Sequence, residues 1–259
     1  MAGQIALNPN KKMISISDLI TKSWEFYRKN FKVIIPIIVL VFLGTSAEML
    51  LRYFLKLPGY FSLLGILISI PFYAITIWLT VLTIEITART LVDEKTNLKN
   101  LALIALKKLP MSILLGIIVG VIIIFGLILL IIPGIIFAIW FHFTLYTFIL
   151  EGKKCLEALK ESKILVQGRW WLVFWRLVVV NLFWGVVTTA LVYGVTALIT
   201  LPWGKVESGT MLFSIINVVL SLVSNLITAL AGPLLIASSL LLYFNLRESR
   251  SLVVPVEKR

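Results

Sequence analysis

Four polar side chains stand inside long apolar stretches of this chain and have the chemistry to bind or relay something: His142, Asn181, Asn225 and Arg176. An imidazole titrates near neutrality, and a carboxamide carries donors as well as an acceptor oxygen. Counting a helical rise of about 1.5 Å per residue from the ends of their stretches, His142, Asn181 and Asn225 fall near the midplane of a bilayer. A polar group at that depth costs free energy unless it is paired. The three are therefore expected to form a midplane polar cluster able to hold a headgroup or pass a proton. The plainer alternative is that each one bonds a neighbouring helix and fixes packing, at about 1 kcal/mol per bond. Arg176 lies nearly two turns inside Trp170 and Trp171, where it can contact an anionic group or meet Glu85 or Glu151.

Catalytic constellations are missing. The sequence has no HExxH, no GxSxG, no Walker loop and no paired aspartates inside the apolar stretches, and a lone histidine without a cysteine or carboxylate neighbour makes a poor metal site. The expectation is a protein without enzymatic activity, cofactor or metal. Cys155 is the only cysteine, so no intramolecular disulfide can form.

These residues must be positioned by helices in lipid. With 60% hydrophobic and only 14% charged residues, the chain lacks the polar surface a water-soluble globule needs. A span takes about 20 apolar residues. Six such stretches lie near residues 33–51, 61–84, 111–132, 134–150, 171–200 and 211–244, within one integral membrane domain covering 1–259, and Pro133-Gly134 divides a run too long for one crossing. Backbone groups cannot go unpaired in hydrocarbon, and no alternating pattern points to a barrel, so the fold expected is an all-α, polytopic bundle. The first thirty residues carry no continuous apolar core, so a cleavable signal peptide is not expected. Of 24 basic residues only Arg52, Lys56 and Lys205 fall on one side of such a threading, which places both termini in the cytoplasm by the positive-inside rule. The net charge of +12 then faces inward, where topology and anionic headgroups account for it without a nucleic-acid partner.

Interfacial amphipathic helices are expected before the spans. In the first, Ile20, Trp24, Tyr27 and Phe31 share a face and Ser17 can cap; the second covers about 97–109 and ends at Pro110; the third covers 156–167 and stops at Gly168. Each precedes two spans, an arrangement compatible with three helix-plus-hairpin repeats. Aligning 17–36 with 156–175 pairs Asp18 with Glu157, Ser23 with Ser162 and Phe31 with Trp170, although chance likeness between amphipathic stretches explains this equally well. Gly116 and Gly120 form a GxxxG spacing suited to close helix approach, and Pro71 and Pro233 fall within spans.

The stretch from Pro133-Gly134 through Glu151-Gly152-Lys153-Lys154 and Glu157-Ala158-Leu159-Lys160-Glu161-Ser162 to Gly168-Arg169-Trp170-Trp171, with the opening Ile16-Ser17, Trp24 and Tyr27-Arg28-Lys29-Asn30-Phe31, resembles YciC-like prokaryotic membrane proteins. These are relatives of the membrane domain attached to some bacterial glycerophosphodiester phosphodiesterases. The resemblance implies a six-helix domain of the prokaryotic cytoplasmic membrane with no assigned activity, and it carries over no functional residue. Two functions fit. One is binding or translocation of membrane lipid or another amphiphile, for which a cavity reaching His142 would speak. The other is a non-catalytic scaffold whose surface helices recruit a membrane or cytoplasmic protein partner.

Overall fold

The structure is a computed structural model that describes residues 13–55, 62–92, 94, 97–201 and 210–251. Its elements are α1 (Ile16–Lys29), α2 (Phe31–Phe54), α3 (Leu63–Leu91), α4 (Leu98–Leu129), α5 (Ile131–Phe141), α6 (Thr144–Glu151), α7 (Cys155–Val166), α8 (Trp170–Thr200) and α9 (Met211–Ser251). No strand occurs among the described residues. Counting α5 and α6 as one crossing, six segments are long and apolar enough to span a bilayer. In the most apolar window of α8 only 6% of the residues are buried inside the protein. Such a surface is stable where hydrocarbon is the solvent, and the molecule is a multi-pass membrane protein. Hydroxyls on the spans bond inward to their own helices, as Thr83 Oγ1 does to the Leu79 carbonyl at 2.7 Å, so few polar groups meet lipid.

The helix α1 begins earlier than expected. Ser15, not Ser17, is its cap, its hydroxyl accepting from the Asp18 N–H at 3.0 Å. The buried stripe is Leu19, Ser23, Phe26 and Tyr27, while Trp24 and Phe31 stay exposed. The separate surface helix expected at 97–109 does not form. Asn97 caps a helix that runs through Pro110 without interruption, and its first turns pack on α3, where the Trp78 indole donates to the Ala102 carbonyl at 3.1 Å. Tertiary anchoring outweighs the donor lost at Pro110. Of the expected repeat, α1 and α7 therefore each precede a helical hairpin and the middle unit has no independent counterpart. The aligned serines Ser23 and Ser162 are both buried, but Ser23 bonds its own helix whereas Ser162 bonds another.

That second bond breaks a span. Residues 134–150 do not form one helix, because Ser162 of α7 accepts the Phe143 N–H at 3.1 Å and donates to the Trp140 carbonyl at 2.7 Å, taking backbone groups that an unbroken helix would pair with itself. The chain turns at His142 and Phe143 and resumes as α6, which ends on Gly152 at φ 65°.

The α4–α5 hairpin turns at Leu130 alone, three residues before Pro133, which sits in the first turn of α5. The glycines that permit this are Gly126 and Gly134. A Cβ on Gly134 would lie 2.9 Å from the Leu127 backbone nitrogen, whereas one on Gly116 or Gly120 would meet nothing within 4 Å. The expected GxxxG contact is thus absent, and close approach occurs one to two turns further on. From Ile113 to Phe141 the only side chain with a hydrogen-bonding group is that of Trp140, and Leu127 through Ile132 are all exposed at the tip. A tip made of aliphatic side chains is expected to stay in hydrocarbon. In a Cys155→Ser background, Leu130→Cys should resist a membrane-impermeant maleimide from either side of sealed vesicles, while Lys160→Cys, exposed on α7, reacts from one side. Equal reaction rates would put the tip in water.

Candidate functional site

The four residues singled out by sequence do not converge. His142 Nε2 lies 3.4 Å from Ser239 Oγ on α9, the Asn225 amide donates to Ser46 Oγ on α2 at 3.4 Å, and the Asn181 amide is spent on the Leu177 carbonyl of its own helix at 2.7 Å. The midplane cluster is thereby corrected to three separate arrangements. His142 meets α9 at Ser239, fourteen residues and about 21 Å along that helix from Asn225, so the two lie at different levels, and Asn181 is spent on its own helix. His142 also packs edge-on against Phe143 and over Tyr146, with centroids 4.9 and 6.2 Å away, and lines a cavity of about 440 Å³ that Thr80, Ser112 and Thr144 also border. Arg176 meets neither carboxylate proposed for it. Glu85 pairs with Lys108 and Arg89, and Glu151 with Arg247 and the Tyr243 hydroxyl.

Arg176 instead anchors the segment before α1. Its Nε donates to the Ile14 carbonyl at 2.7 Å, and Ile14 N–H in turn donates to Asn245 Oδ1 on α9 at 3.1 Å. These bonds seat α1 across the α8–α9 pair and roof a groove of about 680 Å³. Ile20, Trp24 and Tyr27 of α1 form one wall, and Trp184 of α8 with Leu230 and Leu234 of α9 form the others. Trp24 links the two aromatic walls, stacking at 6.1 Å on Tyr27 and at 6.1 Å on Trp184. Burial raises the Tyr27 phenol above its ordinary pKa, so it stays neutral.

One group in this groove is unsatisfied. The Trp184 side chain is buried, and its indole N–H has no partner among the described residues. A donor left unpaired in an apolar site costs roughly 1–3 kcal/mol, and this one is enclosed in the wall of the groove, as the Trp170 indole N–H is enclosed near the start of α8. Cationic side chains stand near. Arg28 lies one turn from Trp24 on the exposed side of α1, followed by Lys29 and Lys32, and none of the three is ion-paired among the described residues. A slot walled by aromatic and aliphatic side chains, with basic residues on the exposed side of α1, matches an acyl chain and an anionic headgroup. The sequence offered one signal for it: Trp184 is a tryptophan inside a span, away from the interfacial positions this side chain usually takes.

A six-span helical bundle with a lateral apolar groove defines a class of membrane protein without defining an activity. The model for the domain of unknown function DUF7847 matches residues 33–246, and the chain belongs to that family. No curated protein and no solved structure matches it.

Proposed function

We propose that this is a lipid-binding protein of a prokaryotic cytoplasmic membrane, holding the acyl chain of an anionic phospholipid in the α1–α8–α9 groove. The single observation that carries this reading is the largely apolar groove of about 680 Å³ between α1, α8 and α9. In this reading the termini and the basic ends of the helices face the cytoplasm, as the distribution of lysine and arginine favours. The groove then opens toward the inner leaflet, with Arg28 and Lys32 at headgroup level. The resemblance to YciC-like proteins is compatible with it and adds no substrate. The His142 cavity gives support of a second kind, since a purely packing role for that histidine requires no space beside it.

Binding of phosphatidylglycerol and of phosphatidylcholine to the delipidated protein, read by native mass spectrometry, tests the proposal. Phosphatidylglycerol should bind more tightly. Trp184→Phe, which keeps a ring and removes the donor, should weaken it about fivefold. Arg28→Gln should abolish the preference for the anionic headgroup while leaving phosphatidylcholine unaffected. Equal affinities for both lipids that neither substitution changes would remove the groove as the site.

A further inference from the structure

A second cavity, of about 460 Å³, lies between α2, α3 and α9 toward the end of the bundle opposite the groove, where Glu48 approaches the close of α2 and Asn217 the start of α9. Its lining is polar although its helices are apolar. The hydroxyl protons on that lining are committed elsewhere. Thr45 donates to the Val41 carbonyl at 3.0 Å, Thr76 to Phe72 at 2.9 Å, Ser221 to Asn217 at 2.8 Å and Ser224 to Leu220 at 2.8 Å. Asn217 likewise spends one amide proton on the Phe213 carbonyl at 2.9 Å, and Asn225 spends one on Ser46. What remains for an occupant is chiefly acceptor oxygens, four from hydroxyls and two from carboxamides, with one N–H left on each carboxamide.

Glu48 adds charge to this set. Its Oε1 accepts from Arg52 Nε at 3.1 Å and from Ser69 Oγ at 2.9 Å, and among the described residues nothing donates to Oε2. The Arg52 guanidinium continues to the Gly65 carbonyl at 2.8 Å and to Ser69, on the α3 side, and does not border the cavity. The pairing thus holds the carboxylate in place and leaves one of its oxygens for a ligand. Oxygen acceptors at membrane depth are costly when they face lipid, so this space needs a polar occupant. A bare metal ion is a poor match, because it needs oxygens converging at about 2.3–2.6 Å, whereas this volume is that of a small-molecule site. An anion meets the Glu48 carboxylate and more lone pairs than donors.

From this arrangement we infer that the cavity binds a protonated primary amine, whose ammonium brings three donors and a positive charge to Glu48 and the surrounding oxygens. The amine can be soluble or carried on a lipid headgroup. This site is independent of the α1–α8–α9 groove, shares no lining residue with it, and stands or falls by itself.

The test is the unfolding midpoint of the detergent-purified protein, titrated at constant pH and ionic strength with ethanolamine, choline or sodium chloride. Choline carries the charge without an N–H donor. Ethanolamine should raise the midpoint saturably while choline and sodium do not. Glu48→Gln should weaken the apparent ethanolamine affinity about tenfold. Thr76→Val, which keeps the shape, removes one oxygen and leaves the Arg52 pair intact, should weaken it about fivefold if folding of the first variant is impaired. In phosphatidylethanolamine nanodiscs, loss of the ethanolamine response relative to phosphatidylcholine nanodiscs identifies a lipid-borne amine, and an undiminished response identifies a soluble one. Equal stabilisation by choline or sodium, or an ethanolamine response unchanged in both variants, would overturn the assignment.

Discussion

Glu85→Ala is expected to destabilise the folded bundle by about 3–5 kcal/mol, the cost of breaking a buried ion pair by removing one partner. The Glu85 side chain is 5% exposed and that of Lys108 25%. Lys108 Nζ bonds Glu85 Oε1 and also the Ile149 carbonyl, at 2.6 Å, so one ammonium ties α3 to α4 and α6. Arg89 is a looser partner, its Nε 3.5 Å from Glu85 Oε2 and its side chain 38% exposed. Removing the carboxylate leaves Lys108 with a carbonyl and no countercharge, in a site where water reaches it poorly. Replacing both partners, Glu85→Leu with Lys108→Met, should recover most of the loss because neither charge is then stranded. Denaturant unfolding in detergent measures both variants. A single substitution that costs less than about 1 kcal/mol, or a double variant no better than the single, would deny the pair its place in holding the three helices.

The second large effect is steric. Gly134→Ala places a methyl 2.5 Å from the Leu127 side chain and 2.9 Å from its backbone nitrogen, and backbone cannot swing aside as a side chain can. Separating α4 from α5 at a one-residue turn should cost about 1–3 kcal/mol in the same measurement. The control is Gly116→Ala, on α4 with open space around it, which should be neutral or slightly stabilising because alanine is the better helix former. If both substitutions behave alike, the hairpin tip is not closely packed.

Much of this architecture was legible in residue types. The spans, the αL glycine Gly168 and the surface helices α1 and α7 follow from long apolar runs, turn residues and one-sided polarity, which act locally. The interruption at His142 and Phe143 was not legible, because its cause is Ser162, nearly twenty residues away in sequence, and nothing local to 134–150 disfavours a helix. The same holds for Gly126 and Gly134. Their spacing across a turn resembles no helix-packing motif, and only the crossing of α4 and α5 brings them together.

The sequence by itself determined the solvent and the helical class, because those depend on apolar length and on the need to pair every backbone group in lipid. Which way each side chain turns about its helix was decided by tertiary packing alone. Along the whole of α8 the few polar residues fall on more than one side, so no single polar stripe tells one face from another. His142, whose partner Ser239 lies fourteen residues from Asn225 on α9, is accordingly parted from Asn225 by about 21 Å along that helix, while Trp184 and Glu48 acquire their surroundings only when α1, α2 and α9 close around them.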